Sequence, residues 1–214
     1  MGGLYEQEIK DDAKAVETYQ NVLDSDPQNL RAMQSLDRLY QRREQWSDLA
    51  RVIDQQLDLV STDESQSESL ELKYRLGQLR EEHLDQPAQA IDSYREILAE
   101  QSEHQGARSR LEAYLSNADH RGAVADILEP IYSEQENWQS LVTVYQIQSE
   151  TSQDSYAKVD LLTNIGSIQA EKLGETEAAF EAYASAFREK PSAEQARLKL
   201  EELAPLMDLS LIHI

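Results

Sequence analysis

Apolar residues recur every three or four positions along nearly the whole chain, and the polar breaks between these stretches are short. This spacing is typical of amphipathic α-helices, and no run alternates β-branched with polar residues as a strand would. Pro87, Pro191 and Gly174 stand where helices would begin or end. The pattern predicts helices near residues 12–25, 28–43, 46–60, 67–84, 87–101, 104–116, 120–134, 137–150, 155–173, 175–189 and 192–204.

Each predicted helix is short and apolar on one stripe only. Such helices are unstable alone in water, so neighbouring helices must cover the stripes, most simply as sequential antiparallel pairs. Two places look irregular. Pro130 lies inside an apolar pattern and predicts a kink or a break near Glu129. The polar stretch "STDESQSES" at residues 61–69 predicts the most mobile loop.

The chain repeats its own pattern. The sequence "LGQLREEHLDQPAQAIDSY" recurs 89 residues later as "IGSIQAEKLGETEAAFEAY", which aligns Gly77 with Gly166 and Tyr94 with Tyr183. Few other positions agree, so the shared residues are those that a common packing arrangement would require. Internal similarity at such intervals indicates a solenoid of stacked helix pairs.

A second pair of segments repeats with a different offset. "LDRLYQRREQWSDLARV" recurs 92 residues later as "LEPIYSEQENWQSLVTV", which aligns Trp46 with Trp138. Other positions, such as Gly2 and Gly77, align at an offset of 75 residues. The offsets of 92 and 75 differ by 17 residues, which is about the length of one helix and a turn. We therefore expect one extra helix around residues 104–119 and a change in superhelix direction near residues 116–135.

These residues resemble the tetratricopeptide repeat, a helix-turn-helix unit with small residues where two helices approach closely and aromatic residues beside them. The matching positions are Gly166, Ala179, Tyr183, Ala186 and Pro191. The resemblance covers most of residues 1–204, and the chain is similar to long bacterial arrays of this repeat. It implies an all-α fold, a right-handed α-solenoid of antiparallel helix pairs with one extra inserted helix and an irregular region near residues 104–135.

The two ends of the chain carry separate expectations. Gly2 aligns with Gly77 in the middle of a first helix, so we expect the chain to be a fragment of a longer array. Residues 205–214 end in "DLSLIHI", which fits no repeat. We interpret them as a non-repeat tail, such as read-through or cloning-derived sequence.

Charge narrows the classes of partner. The chain has 41 acidic and 20 basic residues, a formal net charge of −21, which disfavours nucleic acid or an anionic membrane surface as the main partner. Cysteine is absent, which excludes disulfides, thiolate metal sites and cysteine nucleophiles. No apolar run is long enough for a membrane span and no leader peptide is recognisable, so we expect a cytoplasmic protein.

The sequence offers little catalytic chemistry. The four histidines have no histidine or cysteine partner at ligand spacing, and neighbouring carboxylates such as Glu81 and Glu82 point to different sides of a helix. We expect no catalytic residue, no cofactor, no metal ion and no enzyme activity. Trp46 and Trp138 are interpreted as packing residues rather than ligand-stacking residues because they are repeat partners.

The resemblance places a partner peptide against the inner surface of the first helix of each pair. The candidate groove residues are Arg31, Gln34, Arg38, Gln41, Glu71, Tyr74, Gln78 and Glu81, and a later first helix offers Asp160, Thr163 and Ser167. The lysine and asparagine residues with which one subfamily grips a C-terminal carboxylate are missing. Two interpretations of Arg31, Arg38 and Arg42 stay open: an anion contact, or ion pairs with Asp37, Glu44 and Asp48.

Three hypotheses for function follow. The leading one is a non-catalytic interaction module that presents a helical groove to a protein or peptide. The second is a purely structural spacer within a larger multidomain protein. The third, an RNA-processing half-repeat scaffold, is disfavoured by the charge of −21.

Overall fold

The structure is a computed structural model that describes residues 11–60 and 66–207. Within these ranges the chain forms eleven α-helices and no strand, which confirms the predicted all-α fold. Most helix ends lie within two residues of the predicted positions. The helices are α1 (Asp12–Ser25), α2 (Leu30–Arg42), α3 (Trp46–Val60), α4 (Gln66–Glu82), α5 (Pro87–Glu100), α6 (Gln105–Tyr114), α7 (Arg121–Glu134), α8 (Trp138–Thr151), α9 (Ser155–Ile168), α10 (Thr176–Glu189) and α11 (Glu194–Leu203).

Local capping explains where several helices begin. Asp11 caps α1 by accepting a hydrogen bond from the backbone N–H of Lys14 at 3.1 Å. Asn29 caps α2 and Asn137 caps α8 in the same way. Pro87 opens α5 at a position where its missing N–H is not needed. These signals depend only on neighbouring residues, which is why the boundaries were predictable.

Three predictions of local structure need correction. Pro130 does not split α7, because buried residues on both sides of it, Val124 and Ile131 among them, hold the helix together by packing. Residues 66–69, the end of the polar stretch predicted to be the most mobile loop, form the first turn of α4, in agreement with the predicted helix 67–84, and residues 61–65 lie outside the described residues. The predicted helix 155–173 changes at Gln169, since residues Gln169–Leu173 form a π-helical turn that ends at Gly174, whose φ is 70°.

The chain divides into two compact units between Arg108 and Ser109, within α6. In unit 1 consecutive helices from α1 to α5 pack against one another. Their shared core contains Leu36, Leu39, Tyr40, Ile53 and Leu76, together with other buried apolar residues. This continuous cluster provides the cover that each short helix lacks by itself.

Unit 2 is built in the same way from consecutive packed helices. One apolar cluster includes Tyr183, Ala186 and Leu200, and a second includes Val142 and Ile165. A short 3₁₀ turn at Ala204–Met207 follows α11. The tail residues 208–214, like the N-terminal repeat positions up to residue 10, lie outside the described residues. In the described part of the chain no helix is long and apolar enough to cross a membrane.

The repeated glycine and tyrosine positions make the same contact in both units. Gly77 on α4 faces the ring of Tyr94 on α5, and a Cβ atom at Gly77 would lie 2.6 Å from Tyr94 Cε1. Gly166 and Tyr183 repeat the contact, with 2.7 Å from such a Cβ to Tyr183 Cζ. Both tyrosines are essentially fully buried. The repeated residues therefore mark the closest approach of two helices.

Candidate functional site

An open groove in unit 1 brings together part of the predicted site. The helices α2 and α4 form its walls, and α3 contributes one side chain. Its volume is about 870 Å³, within the range of ligand-binding clefts. The groove is lined by Gln34, Asp37, Arg38, Gln41, Gln56, Ser67, Glu68, Glu71, Leu72 and Arg75. Four of the eight predicted residues, Gln34, Arg38, Gln41 and Glu71, therefore share one surface.

The helical period explains why α2 presents these side chains. Gln34, Arg38 and Gln41 recur at intervals of four and three residues and are exposed. The intervening positions, such as Met33 and Leu36, are buried in the core of unit 1. One stripe of α2 thus stabilises the unit, and the other stripe is left to form the groove wall.

A partly buried ion pair forms the base of the groove. Asp37 is only 7% exposed, and both of its oxygens accept hydrogen bonds from Arg75, at 2.9 and 3.1 Å. The Nε2 amide of Gln56 donates to the same carboxylate at 3.4 Å. Such a network joins α2, α3 and α4 and fixes the Arg75 guanidinium along the groove. The energetic cost of removing the Asp37 carboxylate from water is offset because the carboxylate accepts several hydrogen bonds.

Asp37, Gln56 and Arg75 were not among the predicted site residues. The sequence carried a signal for Asp37, because in the tetratricopeptide-repeat register Asp37 stands at the small position that Gly77 and Gly166 occupy in later repeats. The partner Arg75 is 38 residues away in sequence and gave no comparable signal.

The other four predicted residues lie elsewhere. Tyr74 packs inside unit 1, with its ring 6.0 Å from that of Tyr94 and 5.3 Å from that of His104. Glu81 accepts a hydrogen bond from the Tyr94 hydroxyl at 2.8 Å. Gln78 lines a smaller neighbouring pocket of about 180 Å³, and Arg31 is exposed outside the groove. Tyr74 and Glu81 thus stabilise the fold at positions predicted to contact a partner.

The structure bears on the two interpretations of the arginine stripe on α2, an anion contact or ion pairs with neighbouring carboxylates. Arg42 forms a bidentate ion pair with Asp12 on α1, with distances of 2.8 and 2.6 Å. Asp37 pairs with Arg75, and Asp48 pairs with Arg51. Arg38 donates to Ser35 Oγ at 3.3 Å and still lines the groove. Arg38 is therefore the arginine of this stripe that is placed to meet a ligand.

The two tryptophans, interpreted from the sequence as packing residues, contact neighbouring side chains. Trp46 is half-buried and stacks on His83 with the ring centroids 3.9 Å apart and the planes at 11°. Trp138 is also half-buried, and the Lys172 ammonium lies 5.0 Å from its ring centroid. No group of three or more histidine or carboxylate side chains suited to a metal ion occurs among the described residues.

Comparison with known proteins agrees with this architecture. Residues 32–67, which contain α3 and most of α2, match a family model described as tetratricopeptide repeat. Residues 71–104, which contain α5 and most of α4, match another model with the same description. No curated protein sequence is significantly similar to the chain.

Several solved structures are similar to this chain at low sequence identity. The TPR2AB domain of yeast Sti1 in its pHSP90 complex is 13% identical, with a TM-score of 0.37, over 96% of this chain and 81% of that chain. BtubC from P. vanneervenii is 14% identical, with a TM-score of 0.35, over 95% and 84%. PilW, a type IV pilus biogenesis factor, is 16% identical, with a TM-score of 0.32, over 93% and 94%. These values are too low to transfer a partner or a binding residue.

Proposed function

We propose that unit 1 binds an extended segment of a partner protein in the groove between α2 and α4. The starting point is that residues 32–67 and 71–104 belong to the tetratricopeptide-repeat family. Domains of this family generally mediate protein–protein interactions. The observation that carries the proposal is the convergence of Gln34, Arg38, Gln41 and Glu71, from two helices, on one open groove.

The groove has the chemistry that an extended peptide needs. Its glutamine side chains each offer an amide donor and an acceptor, which suit the unpaired N–H and C=O groups of a peptide backbone. Arg38 lies on the α2 wall, whereas Glu68 and Glu71 lie on the α4 wall. A bound segment is therefore oriented by placing acidic side chains toward α2 and basic side chains toward α4.

Site-specific cross-linking tests this proposal, because the chain has no cysteine of its own. A benzophenone label is attached to the Gln34→Cys variant and, as the matched control, to the Gln55→Cys variant. Gln55 is exposed on α3 and does not line the groove. After illumination in an extract of the source cells, cross-linked proteins are identified by mass spectrometry.

We expect a defined protein to be cross-linked through position 34 and not through position 55. The double substitution Arg38→Ala/Glu71→Ala in the Gln34→Cys background should reduce its yield several-fold. A structural spacer predicts instead that both labels capture nothing, or capture the same abundant proteins with no effect of the groove substitutions. That outcome would refute the proposed function.

A further inference from the structure

Unit 2 contains a second groove, built at the same repeat positions as the groove of unit 1. Its walls are α7 and α9, the repeat counterparts of α2 and α4, and its volume is about 500 Å³. Five lining positions correspond between the two grooves. Gln34, Gln56, Glu68, Glu71 and Leu72 in unit 1 become Asp126, Gln148, Ala157, Asp160 and Leu161 in unit 2.

A glutamine–carboxylate hydrogen bond occurs in both units, but at different positions of the first helix. The Nε2 amide of Gln148 donates to Oδ1 of the exposed Asp126 at 2.8 Å, whereas Gln56 in unit 1 donates to the buried Asp37, whose repeat counterpart is Glu129. In both units a glutamine of the second helix thus orients a carboxylate of the first helix. The five corresponding lining positions indicate that both grooves are built on the same repeat surface.

The charges of the two grooves differ. The arginines of the first groove, Arg38 and Arg75, are replaced at the equivalent positions by Pro130 and Asn164, and no residue lining the second groove is basic. Arg121, which adjoins the groove in sequence, is held by Glu150 at 2.9 Å. The charged residues that line the second groove are therefore all acidic, Asp126 and Asp160.

Two carboxylates of the second groove lack a counter-ion. Asp126 and Asp160 are both exposed, and neither forms an ion pair within the part of the chain that the structure describes. Asp126 lines the groove from α7 and Asp160 from α9, and Leu161 and Ala157 line the same groove. A lysine or arginine side chain suits this arrangement, because its charged end meets the carboxylates while its aliphatic part covers the apolar residues.

We propose that the groove of unit 2 binds an extended, basic segment of a partner protein, whose lysine or arginine side chain is held between Asp126 and Asp160. This inference concerns a different site from the one proposed for unit 1, and it goes beyond that function by naming the chemistry of the ligand. Charge complementarity and the repeat equivalence of the two grooves support it.

Peptide binding provides the test. The probes are two fluorescein-labelled octapeptides with blocked ends, one alternating lysine and alanine and the other alternating glutamate and alanine, and binding to the full chain is followed by fluorescence anisotropy. The test variant is Asp126→Asn/Asp160→Asn. The matched control is Glu134→Gln/Glu177→Gln, which removes the same charge from exposed positions of unit 2 that do not line the groove. Circular dichroism checks that all variants are folded.

We expect the lysine peptide to bind the wild type and the control variant with similar affinity, and to bind the Asp126→Asn/Asp160→Asn variant at least tenfold more weakly. The glutamate peptide should not bind the groove. Substitution Asp126→Lys/Asp160→Lys should reverse this preference.

Equal weakening by the test and control variants would show attraction to the acidic chain as a whole and would overturn the proposal, as would unchanged binding by the test variant. Because unit 1 is unaltered throughout, these results are independent of the cross-linking result at position 34.

Discussion

The contact between Gly77 and Tyr94 allows a quantitative test of how the helix pairs are held together. The Gly77→Ala substitution places a Cβ atom 2.6 Å from Tyr94 Cε1, about 1 Å closer than the optimum for two carbon atoms. The ring cannot move away freely, since Tyr94 is fully buried and its hydroxyl donates to Glu81 at 2.8 Å.

The expected change in the free energy of unfolding follows from two destabilising effects and one stabilising effect. Overpacking of a buried site costs about 1–3 kcal/mol. Displacement of the ring weakens the hydrogen bond to Glu81, which is worth about 1 kcal/mol. Alanine favours the helix over glycine by about 1 kcal/mol. We therefore expect Gly77→Ala to lower the free energy of unfolding of unit 1 by about 1–3 kcal/mol.

Urea unfolding measures this change. In a Trp138→Phe background the remaining tryptophan, Trp46, reports on unit 1 alone. Gly122→Ala is the control in the other unit, followed through Trp138 in a Trp46→Phe background, because a Cβ atom there meets nothing nearer than Thr151 Oγ1 at 3.4 Å. Gly122→Ala should be neutral or slightly stabilising. If Gly77→Ala is as stable as the wild type, the close helix contact is not what the repeated glycine provides.

Three further predictions concern a turn, an ion pair and alkaline pH. Glu44 has a φ of 55°, so Glu44→Gly should raise the free energy of unfolding by about 0.5–1 kcal/mol in urea titrations. Arg75→Leu leaves the buried carboxylate of Asp37 with a single weak donor and should lower the free energy of unfolding by about 2–4 kcal/mol. Arg51→Leu, the control, removes an exposed ion pair and should change the free energy of unfolding by less than about 1 kcal/mol. Burial, helped by the charge of Glu129, raises the pKa of Tyr145 above its ordinary value of 10.0. The resulting stabilisation is complete below about pH 10 and is lost as the pH rises through the folded-state pKa. The free energy of unfolding of Tyr145→Phe should therefore fall less steeply with pH above about 10 than that of the wild type. An unchanged pH profile of the free energy of unfolding would exclude Tyr145 as a contributor.

The elements of this fold were predictable because their signals are local. Apolar spacing and capping residues such as Asn29 and Asn137 depend on a few neighbours, and the structure places the helix ends close to the predicted positions. Pro130 shows the limit of local reasoning. Its missing N–H predicts a break, but packing of the residues around it keeps α7 continuous.

The candidate site was only half predictable for the same reason. A helical wheel identifies which residues of α2 point outward, but it does not show which outward residues a neighbouring helix covers. Tyr74 and Glu81 occupy expected groove positions and are used instead to pack against Tyr94 or His104 and to bind the Tyr94 hydroxyl. The Asp37–Arg75 pair joins residues 38 positions apart and depends on how two helices pack.

The central claim is that the surface between α2 and α4 is the partner-binding surface of unit 1. The most direct measurement is an NMR titration of the ¹⁵N-labelled chain with the protein segment recovered by cross-linking at position 34. We predict shifts of the side-chain amide signals of Gln34, Gln41 and Gln56, with no shift for Gln55 and Gln89, which are exposed on the second helices of the pairs. Shifts at Gln55 and Gln89, with the groove signals unchanged, would contradict the claim.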